Sequence, residues 1–358
     1  FEEFLTELSG IRGVNIYNEM SNNCPTVGAI LFAIDMLIRQ VPWNVNKVSD
    51  EPNDIAAAEF LESCLNDMSM TWKDTISEIL SMLTFGWAYH EVVNKIRLGK
   101  NHKFPNRSSK FNDGRVGWAK IPIRSQDTLL NWEYSDSGDL LGMHQLAPPT
   151  FKQTFIPVDR ALLFRTQVKK NNPEGRSVLR NAYRPWFFKK NIENIEGIGI
   201  ERDLAGLPVI KVPVELLATN ASADKKALLA VFVKLVQKIR RNENEGVVFP
   251  LAFDENGNEL YKLELLSTGG KRNFDTNEIV NRFKQDIAMT VLADFILLGH
   301  KGVGSYALAS SKTKLFATAI GTWVDVIQDV FNKTAIPRLF DFPANDFGVE
   351  KLPQLMHG

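Results

Sequence analysis

The sequence predicts an α+β protein, and three observations carry that expectation. Residues 26–83 hold apolar side chains at helical spacing. Residues 118–165 break into short β-like runs at intervals of roughly 8–12 residues, and beyond Gly175 long helical patterns enclose a small β-α-β-β stretch.

From Thr26 to Gln40, the residues Val27, Ile30, Leu31, Ile34, Leu37 and Ile38 recur at helical spacing behind Pro25, which suits a first helical turn. Residues 41–50 look extended. Residues 53–66 and 70–83 read as two further helices, with Asn53 or Asp54 as cap. "FGWAYHEVVNKIRLG" then switches to β-branched and aromatic residues in near alternation, the mark of a strand leaving a turn at Gly86. Residues 99–117 are polar, basic and turn-rich, which predicts an exposed loop or hairpin tip. The runs "AKIPIRS", "LLNWEYSD", "LLGMHQLAP", "FKQTFIPVD" and "ALLFRTQ", with a turn at Ser137-Gly138-Asp139, predict a twisted, mainly antiparallel sheet on the earlier helices.

A different texture starts at Gly175. Val178, Leu179, Ala182, Tyr183, Trp186, Phe187, Ile192, Ile195 and Ile198 suit one long helix over 176–204, kinked at Pro185. "LPVIKVPVEL" reads as a strand whose prolines confine it to an edge or to a ladder with another chain. Ser222 can cap a helix over 223–242, and "GVVFPLAF" and "LYKLELLS" suit a hairpin. A second long helix is expected from a cap at Asp275 or Thr276 to 298, and a third from Ser310 or Ser311 until Pro337 stops it. Residues 341–358 read as a short tail.

Composition sets limits. The chain has 358 residues, 44% of them apolar and 23% charged, within the range of globular proteins. Forty-two Lys and Arg balance forty-two Asp and Glu, so no global field draws the chain to nucleic acid or an anionic membrane. Cys24 and Cys64 are far apart and read as core thiols of a reducing compartment. The longest apolar runs fall short of a membrane span, and the chain opens at Phe1 with no secretory pattern in view.

Residues 297–316, "LLGHKGVGSYALASSKTKLF", come within one position of a phosphate-cradling loop. Gly299 and Gly304 have the right separation, but Ser305 stands where Lys is required, and a helix rather than a strand leads in. His90, His102, His144, His300 and His357 show no metal-ligand spacing, "GVGSY" lacks the second glycine of a nucleophile elbow, and Glu193 with Glu196 reads as a solvated helix face. No catalytic, cofactor or metal residue is therefore assigned. Arg176, Arg180 and Arg184, at steps of four, would form a basic helical face suited to an acidic partner, a subunit contact or phosphates.

The order of parts resembles that of phage portal proteins, in style those of Mu-like and related tailed phages. "GWAYHEVVNKI" resembles a strand of the portal wing, "NPEGRSVLRNAYRPWFFKK" the opening of the first stem helix, and "FKQDIAMTVLADFILLG" with the Ser- and Gly-bearing loop after it the second stem helix entering the tunnel loop. The resemblance implies a portal fold: wing 1–174, first stem helix within 175–206, clip 207–268, second stem helix within 269–298, tunnel loop 299–309, a long helix in 310–340, and a reduced or truncated crown in 341–358.

It implies as DNA-facing residues His300, Lys301, Gly302, Val303, Gly304, Ser305 and Tyr306. Val209, Ile210, Val212, Val248, Phe249 and Leu251 would be clip residues meeting a neighbouring subunit or an adaptor. The implied function is a dodecameric ring at one capsid vertex, assembled in the host bacterial cytoplasm and carried in the virion, through which double-stranded DNA passes without sequence readout. The implied partners are the terminase large subunit, a head-completion protein, and the major capsid and scaffold proteins; no cofactor and no membrane are implied. The competing readings are a nucleotide-dependent DNA-processing enzyme built on residues 299–305 and an unrelated oligomeric scaffold.

Overall fold

The computed structural model of the chain describes residues 3–101, 103–104, 108–168, 170–205, 207–238, 252–253, 257–266, 275–291, 293 and 306–358. They form two units, one from residues 1–186 and 283–358, the other from 187–282.

The larger unit opens with α1 (Gly10–Asn23) and α2 (Pro25–Arg39), whose axes meet at 88° around Cys24. Helix α1 was not anticipated: Asn15, Asn18, Asn22 and Asn23 are weak helix formers and mask the buried Gly13, Tyr17 and Met20 face. Next come β1 (Trp43–Asn46) and α3 (Pro52–Asn66). Pro52 takes the first turn of α3, so the helix starts before the expected caps, and Asp54 instead accepts from the Ser49 hydroxyl. The expected helix over 70–83 is two pieces, α4 (Trp72–Ile79) and α5 (Ser81–Phe85), and Thr71 caps the first by accepting from the Asp74 amide at 3.1 Å.

The single strand expected after Gly86 is likewise two, β2 (Trp87–Glu91) and β3 (Val93–Leu98). They are followed by β4 (Asn112–Lys120), β5 (Ile123–Arg124), β6 (Leu129–Tyr134), β7 (Leu140–Ala147), β8 (Lys152–Pro157) and β9 (Ala161–Arg165). Every pairing is antiparallel, but instead of one sheet there are three: β5-β2-β9, β3-β4 and β6-β7-β8. The first is covered on both sides. Trp87 and Tyr89 of β2 face Met143 and Ile156 of the β6-β7-β8 sheet. Ala88 turns the other way, into the main core with Leu61, Trp118, Ile121 and Phe164.

Strand β3 reverses the usual pattern by directing its cations inward. Lys95 Nζ lies 3.0 Å from the Asp67 carboxylate, both side chains buried, and donates to the Ser108 carbonyl at 2.6 Å. Arg97 bonds Asp113 at 2.8 Å and the Ser63 hydroxyl at 2.7 Å. Burial alone would raise the Asp67 carboxyl, but the Lys110 amide, the Ser109 hydroxyl and Lys95 together hold it below its ordinary value. These anchors also tie down part of the expected exposed loop, in which Ser109 is buried.

Helix α6 (Tyr183–Ala205) leads into the smaller unit, which holds β10 (Leu207–Lys211), α7 (Val214–Leu217), α8 (Ala223–Lys238) and β11 (Lys262–Leu266). Strands β10 and β11 pair antiparallel, with Pro208 opposite Leu265, so the proline-bearing strand lies in a two-stranded ladder. Of the expected hairpin, "GVVFP" lies outside the described residues, and Phe253 and Glu259 form an isolated antiparallel bridge.

The chain returns through α9 (Thr276–Met289), capped by Asp275, whose carboxylate accepts from the Glu278 amide at 3.2 Å. This helix closes at Met289 rather than 298, because the amides of Thr290 and Val291 fold back onto the Ile287 and Ala288 carbonyls. Helix α10 (Tyr306–Val330) starts four residues before the expected Ser310, and Pro337 does not stop it. A π-helical turn at Phe331–Ala335 intervenes, and α11 (Ile336–Phe340) follows with Pro337 in its first turn, where a missing amide hydrogen costs least.

The short tail expected over residues 341–358 is part of the fold. Strand β12 (Gln354–His357) pairs with β1. The Asn332 side-chain amide exchanges two 2.8 Å hydrogen bonds with the Leu355 backbone, and Asn345 bonds Val116 in the same two-way manner at 2.8 and 3.0 Å.

His90 supplies a pH test of the core. It is fully buried, its Nδ1 donates to the Ile121 carbonyl at 2.9 Å, and burial lowers its pKa from 6.5 to about 4. Unfolded chains bind this proton below pH 6.5 while the folded chain does not until about pH 4, so stability falls as pH drops through that window. The loss from His90 amounts to about 3 kcal/mol. The urea midpoint of His90→Asn, which keeps a donor but does not titrate, is expected to fall less steeply between pH 6.5 and 4 than that of the parent chain.

Candidate functional site

Two of the quoted motifs meet in space. Gly86 ends α5 in the left-handed region, at φ 93°, and its amide donates to the Met82 carbonyl at 2.7 Å. Its carbonyl accepts from the Thr166 amide at 3.1 Å. Gly175, also left-handed at φ 59°, crosses directly over it: a Cβ on Gly175 would lie 2.4 Å from the Gly86 carbonyl oxygen, and one on Gly86 would lie 2.6 Å from the Glu174 carbonyl oxygen. Two residues on, Ser177 donates its hydroxyl to the Thr84 carbonyl and accepts from the Leu179 amide at 3.0 Å. Leu179, Ala182 and Trp186 then pack with Leu8, Tyr17, Met20 and Val27. The glycines permit the crossing, the serine starts the turn, and the apolar residues seat the head of α6.

A cavity of about 460 Å³ opens beside this crossing, lined among others by Tyr17, Trp132, Glu174, Arg176 and Arg180. Arg180 makes a two-pronged bond to Glu3, with Nε 2.7 Å from Oε2. Burial works to raise the Glu3 carboxyl, but Arg180 and the Leu5 amide hold it below its ordinary value. Burial, with the nearby Glu3 charge, pushes Tyr17 up to about 12. Glu174 is raised by burial, although the Trp132 indole N–H donates to it at 3.2 Å.

The expected basic face is not formed. Arg176 precedes the first turn, Arg180 lies in a short 3-10 turn at Val178–Arg180, and only Arg184 is in α6. The helix starts at Tyr183 rather than 176 because Ser177 and the glycine crossing impose a turn first. Arg176 bonds the Asn181 side chain at 2.9 Å, and Arg180 is occupied by Glu3. Lys189 and Glu193 pair at 2.7 Å, and Glu196 accepts from Thr276 at 2.6 Å.

Of the expected DNA-facing residues, His300, Lys301, Gly302, Val303, Gly304 and Ser305 lie outside the described residues, and Tyr306 is the first residue of α10. Val209 and Ile210 are half-buried in β10 and Val212 half-buried just after it; Val248, Phe249 and Leu251 lie outside the described residues. Among the described residues, no group of three or more His, Cys, Asp or Glu is placed to hold a metal, and no single helix is long and apolar enough to cross a membrane. The Glu3–Arg180 pair and the roles of Trp132 and Tyr17 left no mark in the sequence, since their partners lie far along the chain.

The crossing is a structural lock. Replacing Gly175 by alanine is expected to cost more than the about 1–2 kcal/mol of the left-handed backbone alone, because the added Cβ would strike the Gly86 carbonyl. A thermal melt of Gly175→Ala beside Gly197→Ala, a helical position with open space, measures the difference.

The fold has known counterparts. The neck of an empty gene transfer agent (GTA) particle matches with a TM-score of 0.56 at 10% identity, over 96% of this chain and 84% of that one. The virion of a native GTA particle matches with a TM-score of 0.56 at 11% identity, over 96% and 83%. At that identity the likeness is one of fold. The family model described as the portal protein of Mu bacteriophage matches residues 14–356, which takes in the smaller unit, most of the larger one and the Gly86–Gly175 crossing. This chain belongs to the Mu bacteriophage portal protein family.

Proposed function

We propose that the chain is the subunit of a portal ring, a channel at one capsid vertex through which double-stranded DNA enters and leaves, without chemistry of its own. The observation that carries this reading is a family match that spans residues 14–356 and so reaches into both units. Exposed apolar residues fit an oligomer: Ile195, Ile198 and Ile200 all face solvent on the 23-residue helix α6, an arrangement suited to packing against another copy. GTA necks that match were computed with C6 and with C12 symmetry, and twelve copies is the number this reading takes.

In this reading residues 1–174 and 310–340 are the wing, α6 and α9 the stem, 207–268 the clip and 299–309 the tunnel loop, with 341–358 in the place of a crown but folded onto the wing. The clip residues Val209, Ile210 and Val212, with Val248, Phe249 and Leu251, would meet a neighbouring subunit or a head-completion protein. The terminase large subunit would supply the work of packaging, and the major capsid and scaffold proteins would surround the ring. Assembly would take place in the bacterial cytoplasm and the product would reside in the virion. A channel that lets DNA slide is served by weak contacts that do not depend on sequence, in keeping with a net charge of zero.

Negative-stain images of the purified chain are expected to show rings with a central channel and no ATP hydrolysis; monomers that turn over ATP would restore the enzyme reading. Deleting residues 300–306 is expected to leave rings intact while impairing DNA packaging or retention in an in vivo complementation assay. Loss of the rings would refute the loop assignment.

A further inference from the structure

Strand β3 turns its cations to the core and its aliphatic residues to water. The side chains of Lys95 and Arg97 are 2% and 3% exposed, while Ile96 and Leu98 are 56% and 65% exposed. Slipping the strand by one residue would bury the aliphatic pair and free the cations, so the observed register makes sense if Ile96 and Leu98 are covered by something else. Around them the hairpin is basic. Residues 93–120 contain eight Lys or Arg and one acid, Asp113. Asp67 and Asp113 are engaged by Lys95 and Arg97, which leaves Lys100, Lys103, Lys110 and Lys120 at the exposed rim.

The β6-β7 hairpin has the opposite character. Residues 125–151 contain four acids and no Lys or Arg. Asp136 and Asp139 are exposed at its tip, beside the exposed Tyr134 and Leu141, and Leu130 is exposed at the other end of β6. The two hairpins also lie on opposite faces of the β5-β2-β9 sheet: Trp118 of β4 joins the core on the Ala88 side, and Met143 of β7 packs on the Trp87 and Tyr89 side.

We propose that the β3-β4 hairpin of one copy docks on the β6-β7 hairpin of the next, as part of the head-to-tail contact that closes the ring. A ring needs two different patches that complement each other and face apart on one chain, and these two are complementary in charge and both apolar at their centres. The occupant is thereby a second copy of this chain. The aliphatic centre of the basic hairpin favours a protein partner over a phosphate backbone, which offers nothing to cover Ile96 and Leu98. The inference rests on the ring reading above.

The test is loss and rescue by charge reversal in the full chain, with circular dichroism as the control for folding and mass photometry over a protein dilution series as the readout. Lys100→Glu with Lys103→Glu, and separately Asp136→Lys with Asp139→Lys, are each expected to raise the concentration for half assembly about tenfold or more. All four together are expected to return it to within about threefold of the parent chain. Reversals that leave assembly of a ring-forming parent unchanged, or a fourfold variant that is not rescued, overturn this contact but not the ring. A parent that never assembles overturns the ring reading itself. If Lys100→Glu with Lys103→Glu weakens binding of a short DNA duplex and leaves assembly untouched, the basic hairpin is a nucleic-acid surface and the proposal is wrong.

Discussion

The approach of the Gly86 carbonyl to Gly175 is the constraint on which the rest of the larger unit depends. Two stretches of backbone come closer there than any side chain at Gly175 would allow, with a built Cβ at 2.4 Å. The chain leaving β9 is therefore pinned against the end of α5 before it becomes α6. Thr166 extends the pin by donating to the Gly86 carbonyl, and Ser177 by donating to the Thr84 carbonyl. Because β2 starts at the next residue, the same turn fixes the strand whose two faces organise both apolar clusters around it.

Charge is handled inside this framework by satisfying it rather than excluding it. Lys95 and Asp67 share a buried site with the Ser109 hydroxyl, the Lys110 amide and the Ser108 carbonyl, and losing one member of such a pair typically costs about 3–5 kcal/mol. Arg97 lies 4.0 Å over the Phe111 ring and 5.2 Å from Phe60, while Arg115 lies 3.8 Å over Phe347. Through the Arg115–Phe347 stack, and through Asn345 on Val116, the C-terminal segment of the larger unit is bonded to β4. The arrangement leaves Ile96 and Leu98 facing outward on a basic hairpin, which links how the wing is held together to how one copy can meet another.

The helical returns obey the same logic. Pro337 would break a regular helix, yet the π-helical turn before it moves the register so that the proline falls in a first turn. Asn332 lies in that turn, where its amide bonds both ways to Leu355 and so holds β12 on β1. Residues that read as a short tail are thereby part of the fold.

The sequence by itself determined the class of the protein and the order of its parts. Val27, Ile30, Ile34 and Ile38 mark α2 through their period, alternation marks the strands after Gly86, and the succession of long helix, small β-α-β unit and long helix carried the resemblance that the family match then showed. Local periodicity suffices for this because each element buries one face. Only the tertiary structure decided what depends on distant partners. It shows that Gly86 and Gly175 are a single crossing, that Arg180 belongs to Glu3 instead of a basic helical face, and that one expected sheet is three. It also turns Lys95 and Arg97 inward, against the binary pattern, because carboxylates from Asp67 and Asp113 are there to meet them. Those facts are pairings across tens to hundreds of residues, and no local spacing encodes which partner will be present.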